Sequence, residues 1–310
     1  MILQPHINDN PRPPDIYVAG PSNNNNNNNN NNDNNNDNLN NNSSLIDSQR
    51  PFASSPSSPS LQDPSQTISF SSLNVRGINN PSKFDAVLQD CFSESFSVIG
   101  LQETKLSERN AHALFKNFNA SLQDTYLYRA YWSFDSSDAA GGVCLILADF
   151  ISKYVQKIHR NGSRFIAADL YLPNKKLKII NFYGFQKHDY LTKGKDLCQF
   201  TIDHIKTAIK DGFHIIVMGD FNASPDKYIH HLEQGRSPPA HFALIAFLSS
   251  MDFHDSTCKD DQDLPYATFY KNNAPSSRID QIWFSDSLYS MDFCFNRVWK
   301  LPFTYLSTSP

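Results

Sequence analysis

After Thr67 the pattern of apolar and polar positions switches repeatedly between a period of two and a period near 3.6, the signatures of strands and helices. Residues 68–75 alternate apolar and small side chains and stop at Arg76-Gly77, which predicts a strand. Over 82–92, Phe84, Val87, Leu88 and Cys91 fall at i, i+3, i+4 and i+7, the spacing of an amphipathic helix. Residues 96–101 form a short apolar run, read as a buried strand. Residues 110–118 place Ala111, Leu114, Phe115 and Phe118 on one helical face. Further strands are predicted over 142–147, 165–172, 177–183 and 214–218. Before the last of these, 195–210 reads as a helix carrying Leu197, Phe200, Thr201, His204, Ile205 and Ala208 on one side. A helix over 241–251 and strands over 267–270, 279–284 and 291–295 complete the pattern. Strands interleaved with helices, some joined without a helix between them, point to two packed sheets with helices outside, an α/β class.

Composition divides the chain. Residues 1–66 hold nine of the 18 prolines and 17 asparagines between Asn23 and Asn42. Such a segment cannot bury enough apolar surface to offset the entropy of ordering, so it is expected to be a disordered Asn/Pro/Ser-rich tail. It carries 6 of the 31 acidic and 2 of the 27 basic residues, so the net charge of −4 sits there and 67–310 is formally neutral. A neutral domain speaks against a basic nucleic-acid coat protein and leaves room for a metal-centred enzyme. Five cysteines without a C-x-x-C pair give no zinc-ribbon or thioredoxin motif and fit a reducing compartment. The start, Met-Ile-Leu-Gln-Pro-His, lacks a basic stretch followed by an apolar one, and no run reaches the roughly 18 apolar residues of a membrane helix. The expectation is an intracellular protein, nuclear or cytoplasmic, neither secreted nor tied to a membrane. The oligomeric state is not legible.

Five strings place a polar residue where an apolar strand ends. In His214-Ile-Ile-Val-Met-Gly-Asp220-Phe-Asn222, continued extension would point Asp220 and Asn222 to one face. A carboxylate there can take a proton from water, and an amide can donate to a phosphoryl oxygen. The same string also suits a plain strand-to-loop turn. Val98-Ile-Gly-Leu-Gln102-Glu103-Thr104 delivers a carboxylate suited to Mg²⁺ or Mn²⁺, or an ordinary solvated glutamate. Ser72-Leu-Asn74-Val-Arg76-Gly77 offers Asn74, or a simple turn, and Ile180-Asn-Phe-Tyr183-Gly184 offers Tyr183, or a packed aromatic. Ser276-Ser-Arg278-Ile-Asp280 offers Asp280, or a strand-entry ion pair with Arg278. Jointly they are a stronger signal than singly, since α/β folds gather their sites at strand ends. The basic residues Lys153, Lys157, Arg160, Arg164, Lys175, Lys176 and Lys178 read as solvated strand or hairpin edges rather than backbone contacts to nucleic acid, and His230-His231 near Asp226 as surface histidines.

The order of these strings, with Gly141-Gly142-Val between the second and third, resembles the endonuclease/exonuclease/phosphatase superfamily over about 67–310. Within it the chain looks most similar to the apurinic-type endonuclease domain of LINE-type retrotransposons. Leu73 stands where DNA-repair relatives often carry Trp, which favours the retroelement branch. The resemblance implies a four-layer α/β sandwich, two mixed β-sheets flanked by helices, and divalent-metal phosphodiester hydrolysis on DNA. It implies Glu103 as metal ligand, Asn74 near metal and phosphate, and Tyr183 at the scissile phosphate. It further implies Asp220 as orienter or base for the attacking water, Asn222 as phosphate holder, and Asp280 as orienter of a catalytic histidine.

Two departures alter the expectation. Gly184-Phe185 replaces a proline-containing turn, and the family's last Ser-Asp-His motif has no counterpart, since no histidine follows His254 and the sequence ends Leu306-Ser-Thr-Ser-Pro310. A C-terminally truncated domain with impaired activity is therefore expected, one lost charge-stabilising group costing about 100- to 1000-fold. A non-catalytic remnant that at most binds nucleic acid or protein, and a phosphodiesterase acting on a different phosphate ester, remain as alternatives.

Overall fold

The helices over 81–93, 108–121 and 195–210 and the strands over 165–172 and 214–220 take the places their apolar spacing sets. In the computed structural model the described residues are 2–3, 68–121, 128–138, 140–256, 267–271 and 274–289. The tail expected over 1–66, apart from residues 2–3, and the predicted strand over 291–295 lie outside the described residues.

One sheet has the order β1-β2-β3-β5-β4, built from β1 (Ile2–Leu3), β2 (Ile68–Asn74), β3 (Val98–Gln102), β4 (Tyr128–Ser133) and β5 (Val143–Ala148). The other has the order β10-β13-β9-β8-β7-β6. Its strands are β6 (Val155–Asn161), β7 (Phe165–Leu172), β8 (Lys175–Tyr183), β9 (His214–Asp220), β10 (His254–Asp255) and β13 (Asp280–Phe284). A small hairpin, β11 (Phe269–Lys271) and β12 (Ala274–Ser277), stands apart. Both sheets are mixed: β2–β3 and β8–β9 are parallel and the other pairs antiparallel.

Three apolar layers glue four structural layers. Phe70, Val98, Val143, Leu145, Ile166, Ile179 and Met218 meet between the sheets. On the outer face of the first sheet lie α1 (Pro81–Ser93) and α2 (Glu108–Ser121), their buried stripes Phe84, Val87, Leu88, Cys91 and Ala111, Phe115, Phe118 packing on Ile99, Leu101 and Cys144. Helix α1 starts where its sequence says it should. Asn80 caps it, accepting from the backbone N–H of Ser82 at 2.9 Å and Lys83 at 3.3 Å, with Pro81 at the first helical position. After the short α3 (Asp149–Ser152), α4 (Lys195–Lys210), α5 (Pro225–Glu233) and α6 (Ala243–Ser250) follow, and α4 and α6 cover the second sheet's outer face. A last turn, α7 (Asp286–Tyr289), follows β13. This is the expected four-layer α/β sandwich.

Helix α4 is rotated from its predicted face. Its buried stripe is Leu197, Cys198, Thr201, Ile202, Ile205 and Ala208, whereas Phe200 and His204 sit at its margin, edge-on to Phe165 at 5.1 and 5.2 Å. Strands β4 and β6 and helix α5 have no sequence counterpart. Strand β6 buries none of its residues, and α5, although Pro225, Tyr228, Ile229 and Leu232 share a helical face, buries only Pro225.

Candidate active site at the strand ends

The polar strand-end residues meet at one end of the two sheets. Asn74 closes β2, Glu103 follows β3, Tyr183 closes β8, Asp220 closes β9 and Asp280 opens β13. Register makes this inevitable within the second sheet, because Asp220 is paired with Tyr183 on one side and with Asp280 on the other. The two sheets are joined at this end by side chains. Asn74 Nδ2 donates to Asp220 Oδ2 at 2.8 Å, and the Tyr183 hydroxyl donates to Glu103 Oε2 at 3.3 Å.

Backbone strain collects at the same place. Arg76, Glu103, Lys105 and Asn222 all hold left-handed φ angles of 48–56°, at a cost of order 1–3 kcal/mol each for residues other than glycine. The strain is held by a ladder of turn hydrogen bonds: Gly77 N to Glu103 O at 2.7 Å, Thr104 N to Gly142 O at 3.1 Å and Lys105 N to Gly141 O at 3.0 Å. Gly142 has φ 98°, and a Cβ there would collide with Thr104 Oγ1, so the Gly-Gly string is what lets the Glu103 turn close. Gly219 is required for a similar reason: a Cβ on it would overlap the Phe182 carbonyl of the neighbouring parallel strand.

The extension assumed for Asp220 and Asn222 does not continue. Asn222 turns left-handed, its backbone N–H donates to Asp220 Oδ1 at 2.8 Å, and its Nδ2 donates to Gly184 O at 2.9 Å. One amide hydrogen is thus engaged by the protein and the other remains available. Asn74 Oδ1 accepts from Arg76 N at 3.0 Å in a turn, while its amide faces Asp220.

Electrostatically the site is an acidic pair shielded from water. Asp220 is 2% exposed; burial raises its carboxyl above the ordinary range and Glu103 adds to this, against the hydrogen bonds from Asn74 and Asn222 and the nearby Arg164 charge. Asp280 is half-buried as a residue, but its Oδ1 is shut off from solvent and has no hydrogen-bond partner among the described residues. Burial, then the Asp220 charge, push its carboxyl up. Two carboxyls in this relation ionise in separated steps. Burial followed by the Glu103 charge keeps the Tyr183 phenol protonated, as a donor.

The residues fit a hard cation of the Mg²⁺ kind held by few protein ligands and its own waters, rather than a caged ion. Glu103 and Asn74 present oxygen atoms. Glu103 Oε1 already faces a cation, the Lys105 ammonium at 2.8 Å, on a side chain 40% exposed and free to swing aside. Among the described residues no group of three or more His, Cys, Asp or Glu gathers as a denser metal site.

Several sequence readings need correction. Arg278 does not pair with Asp280. It is 1% exposed and clamps Asp255 at 2.6 Å and Asp226 at 3.0 Å, because two carboxylates brought in by β10 and α5 take up its buried guanidinium. Asp226 is thereby committed to Arg278 and not to the histidines beside it. Lys178 is no solvated edge. It is buried between Asp169 and His204 Nε2, 3.1 Å from the latter, because its side chain points to the face that α4 covers. Arg164 is also enclosed, at the margin of the site, paired with Asp138 at 2.7 Å.

Three residues that contribute here carry no site role in the sequence reading. Asn181 is fully buried in β8 and reaches across the sheets, its Nδ2 donating to Leu101 O at 2.9 Å and Cys144 O at 2.8 Å. Its Oδ1 accepts from Gln102 Nε2 at 2.6 Å, one residue before Glu103. A lone amide in an apolar strand was the available signal. For Arg164 and Asp138 the sequence holds no local signal, since their meeting depends on the turn at Gly141-Gly142.

Fold and site together define an α/β sandwich with an acidic, amide-bearing cluster at its strand ends. The family model of the Endonuclease/Exonuclease/phosphatase family matches residues 71–291, and the chain belongs to that family. Its members are nucleases and phosphatases. Among solved structures it is similar to the 3′-5′ exonuclease NExo from Neisseria meningitidis, with 15% identity, a TM-score of 0.53, and coverage of 71% of this chain and 87% of that one. It is likewise similar to a structure of the 3′ phosphatase NExo from Neisseria bound to a product DNA hairpin (16% identity, TM-score 0.52, 71% and 86% covered). A comparison with curated proteins finds no match. Cys91, Cys144 and Cys198 are free and buried, and among the described residues no helix is long and apolar enough to cross a membrane.

Proposed function

We propose that the chain is a divalent-metal-dependent phosphodiesterase acting on DNA, of the retroelement endonuclease type. The observation that carries this reading is the pair of cross-sheet hydrogen bonds, Asn74 to Asp220 and Tyr183 to Glu103, which gather amide, phenol and carboxylate groups at one strand-end cluster. Asp220, raised toward neutrality and oriented by two N–H donors, is suited to take the proton of an attacking water. The Tyr183 hydroxyl and the spare amide hydrogen of Asn222 donate to phosphoryl oxygens, where charge develops as the bond breaks. Glu103 and Asn74 would hold Mg²⁺ or Mn²⁺, which would supply Lewis-acid neutralisation of the phosphoryl group. Asp280, whose buried Oδ1 has no hydrogen-bond partner among the described residues, is the acceptor that a further donor such as an imidazole would satisfy.

Covalently closed supercoiled plasmid and a 3′-phosphorylated oligonucleotide separate the substrates. Magnesium-dependent nicking of the closed circle, abolished by chelator, is expected. Release of 3′ phosphate without nicking would replace the endonuclease reading with an end-directed one. Activity on neither DNA, with turnover of bis(p-nitrophenyl) phosphate, would move the substrate to a phosphodiester other than DNA.

A further inference from the structure

The Arg164 guanidinium lies between two aromatic rings, its Cζ 4.3 Å from the centroid of Tyr183 and 4.0 Å from that of Phe185. Its edge is occupied as well. Nε and Nη2 donate to the two carboxylate oxygens of Asp138 at 2.7 and 3.4 Å, and Nη1 donates to Gly184 O at 3.3 Å. That Gly184 carbonyl is the one that accepts from Asn222 Nδ2. Asp138 is itself fixed, since Ser163 Oγ donates to its Oδ2 at 2.6 Å. Although burial pushes the Asp138 carboxyl up, the bonds from Arg164 and Ser163 bring it below the usual range, so the pair stays ionised. The segment bearing Asp138 is anchored by Gly142 N to Ser163 O at 2.9 Å, part of the Gly-Gly turn that also closes on Glu103.

From this geometry we infer that Arg164, held by Asp138, is a positioning residue that aims the Tyr183 hydroxyl and, through Gly184, the Asn222 amide. A flat guanidinium gripped by a carboxylate along one edge can stack on a ring and fix its plane; a lysine ammonium can do neither. The side chain is 11% exposed and three of its N–H groups are spoken for, which suits a clamp better than a contact to substrate. The catalytic part of this inference rests on the function proposed above; the mechanical part does not.

Arg164→Lys is expected to lower kcat about tenfold with KM changed less than twofold, in line with the up to ~100-fold penalties of small misplacements. Asp138→Asn should repeat that split. In a Tyr183→Phe background, Arg164→Lys should cost clearly less than in wild type, because one of the two groups it aims is gone and only the Asn222 link through Gly184 remains. Equal losses in both backgrounds, or a raised KM with a weakened salt dependence as expected of a phosphate contact, would overturn the inference. A 19F spectrum of 3-fluorotyrosine at position 183 reads the clamp without activity. A resonance that shifts or broadens in a folded Arg164→Lys protein supports it, and an unchanged resonance refutes it. Wild-type protein inactive on every phosphodiester while that resonance still responds to Arg164 would sink the proposed function and leave the clamp standing.

Discussion

Replacing Asn181 with alanine removes the polar bridge between the two sheets. Three hydrogen bonds are lost, to Leu101 O, Cys144 O and from Gln102 Nε2, all in a fully buried setting. At about 1 kcal/mol net for each neutral bond, the loss is about 3 kcal/mol, with more if a carbonyl is left unpaired. Gln102 keeps Ser72 Oγ at 3.1 Å and Gly100 O at 3.2 Å as acceptors, so the term for its amide is the softest of the three. For a domain of this size about 3 kcal/mol corresponds to roughly 6–12 °C in Tm. Urea titration with matched thermal scans measures it. Asn181→Asp should cost more, because an acceptor then faces two carbonyl oxygens. A loss below about 1 kcal/mol for Asn181→Ala, or a milder effect for the aspartate, would refute the bridge as the tie between the sheets.

Arg278→Met withdraws the guanidinium that clamps the buried Asp255, while the half-exposed Asp226 regains water. A destabilisation of about 3–5 kcal/mol in urea is expected, and a neutral result would contradict the buried clamp. Asp220 and Asp280 have carboxyls raised in the folded state, so the unfolded chain ionises first. The contribution of these two groups to stability is therefore intact below the unfolded value near ~4 and is lost as pH rises through the folded values. In chelator, Asp280→Asn should raise Tm at pH about 8, by the equivalent of order 1 kcal/mol, and leave it unchanged at pH about 4. A variant less stable than wild type at the higher pH would contradict that sign. Lys105→Gln frees Glu103 from its ion pair and should tighten Mg²⁺ binding in calorimetric titration, by no more than about fivefold given the roughly 0–1 kcal/mol worth of partly exposed pairs. Weaker binding would mean that Lys105 holds Glu103 in place.

Legibility followed periodicity. Strand β7 and helices α1 and α4 could be read almost to their ends, because their apolar residues repeat where burial demands it. The strand-end residues could be read because each interrupts such a run. Arg278 could not be placed: its partners lie 23 and 52 residues away, and adjacency to Asp280 suggested the wrong pair. Nor did pattern reveal that Asn222 turns left-handed, since an Asp-x-Asn string suits a continuing strand as well as a turn. The Arg164 clamp is a tertiary construction that no local period encodes.

The most direct measurement compares nicking of closed supercoiled plasmid by wild type, Glu103→Gln and Asp220→Asn at saturating Mg²⁺. Both substitutions preserve shape and remove a carboxylate, Glu103 beside the Tyr183 hydroxyl and Asp220 beside the Asn74 amide. Losses of about 100-fold or more for each, in folded protein, are expected if these groups carry the chemistry. Wild-type nicking that survives both substitutions would show that the strand-end cluster is not the catalytic centre.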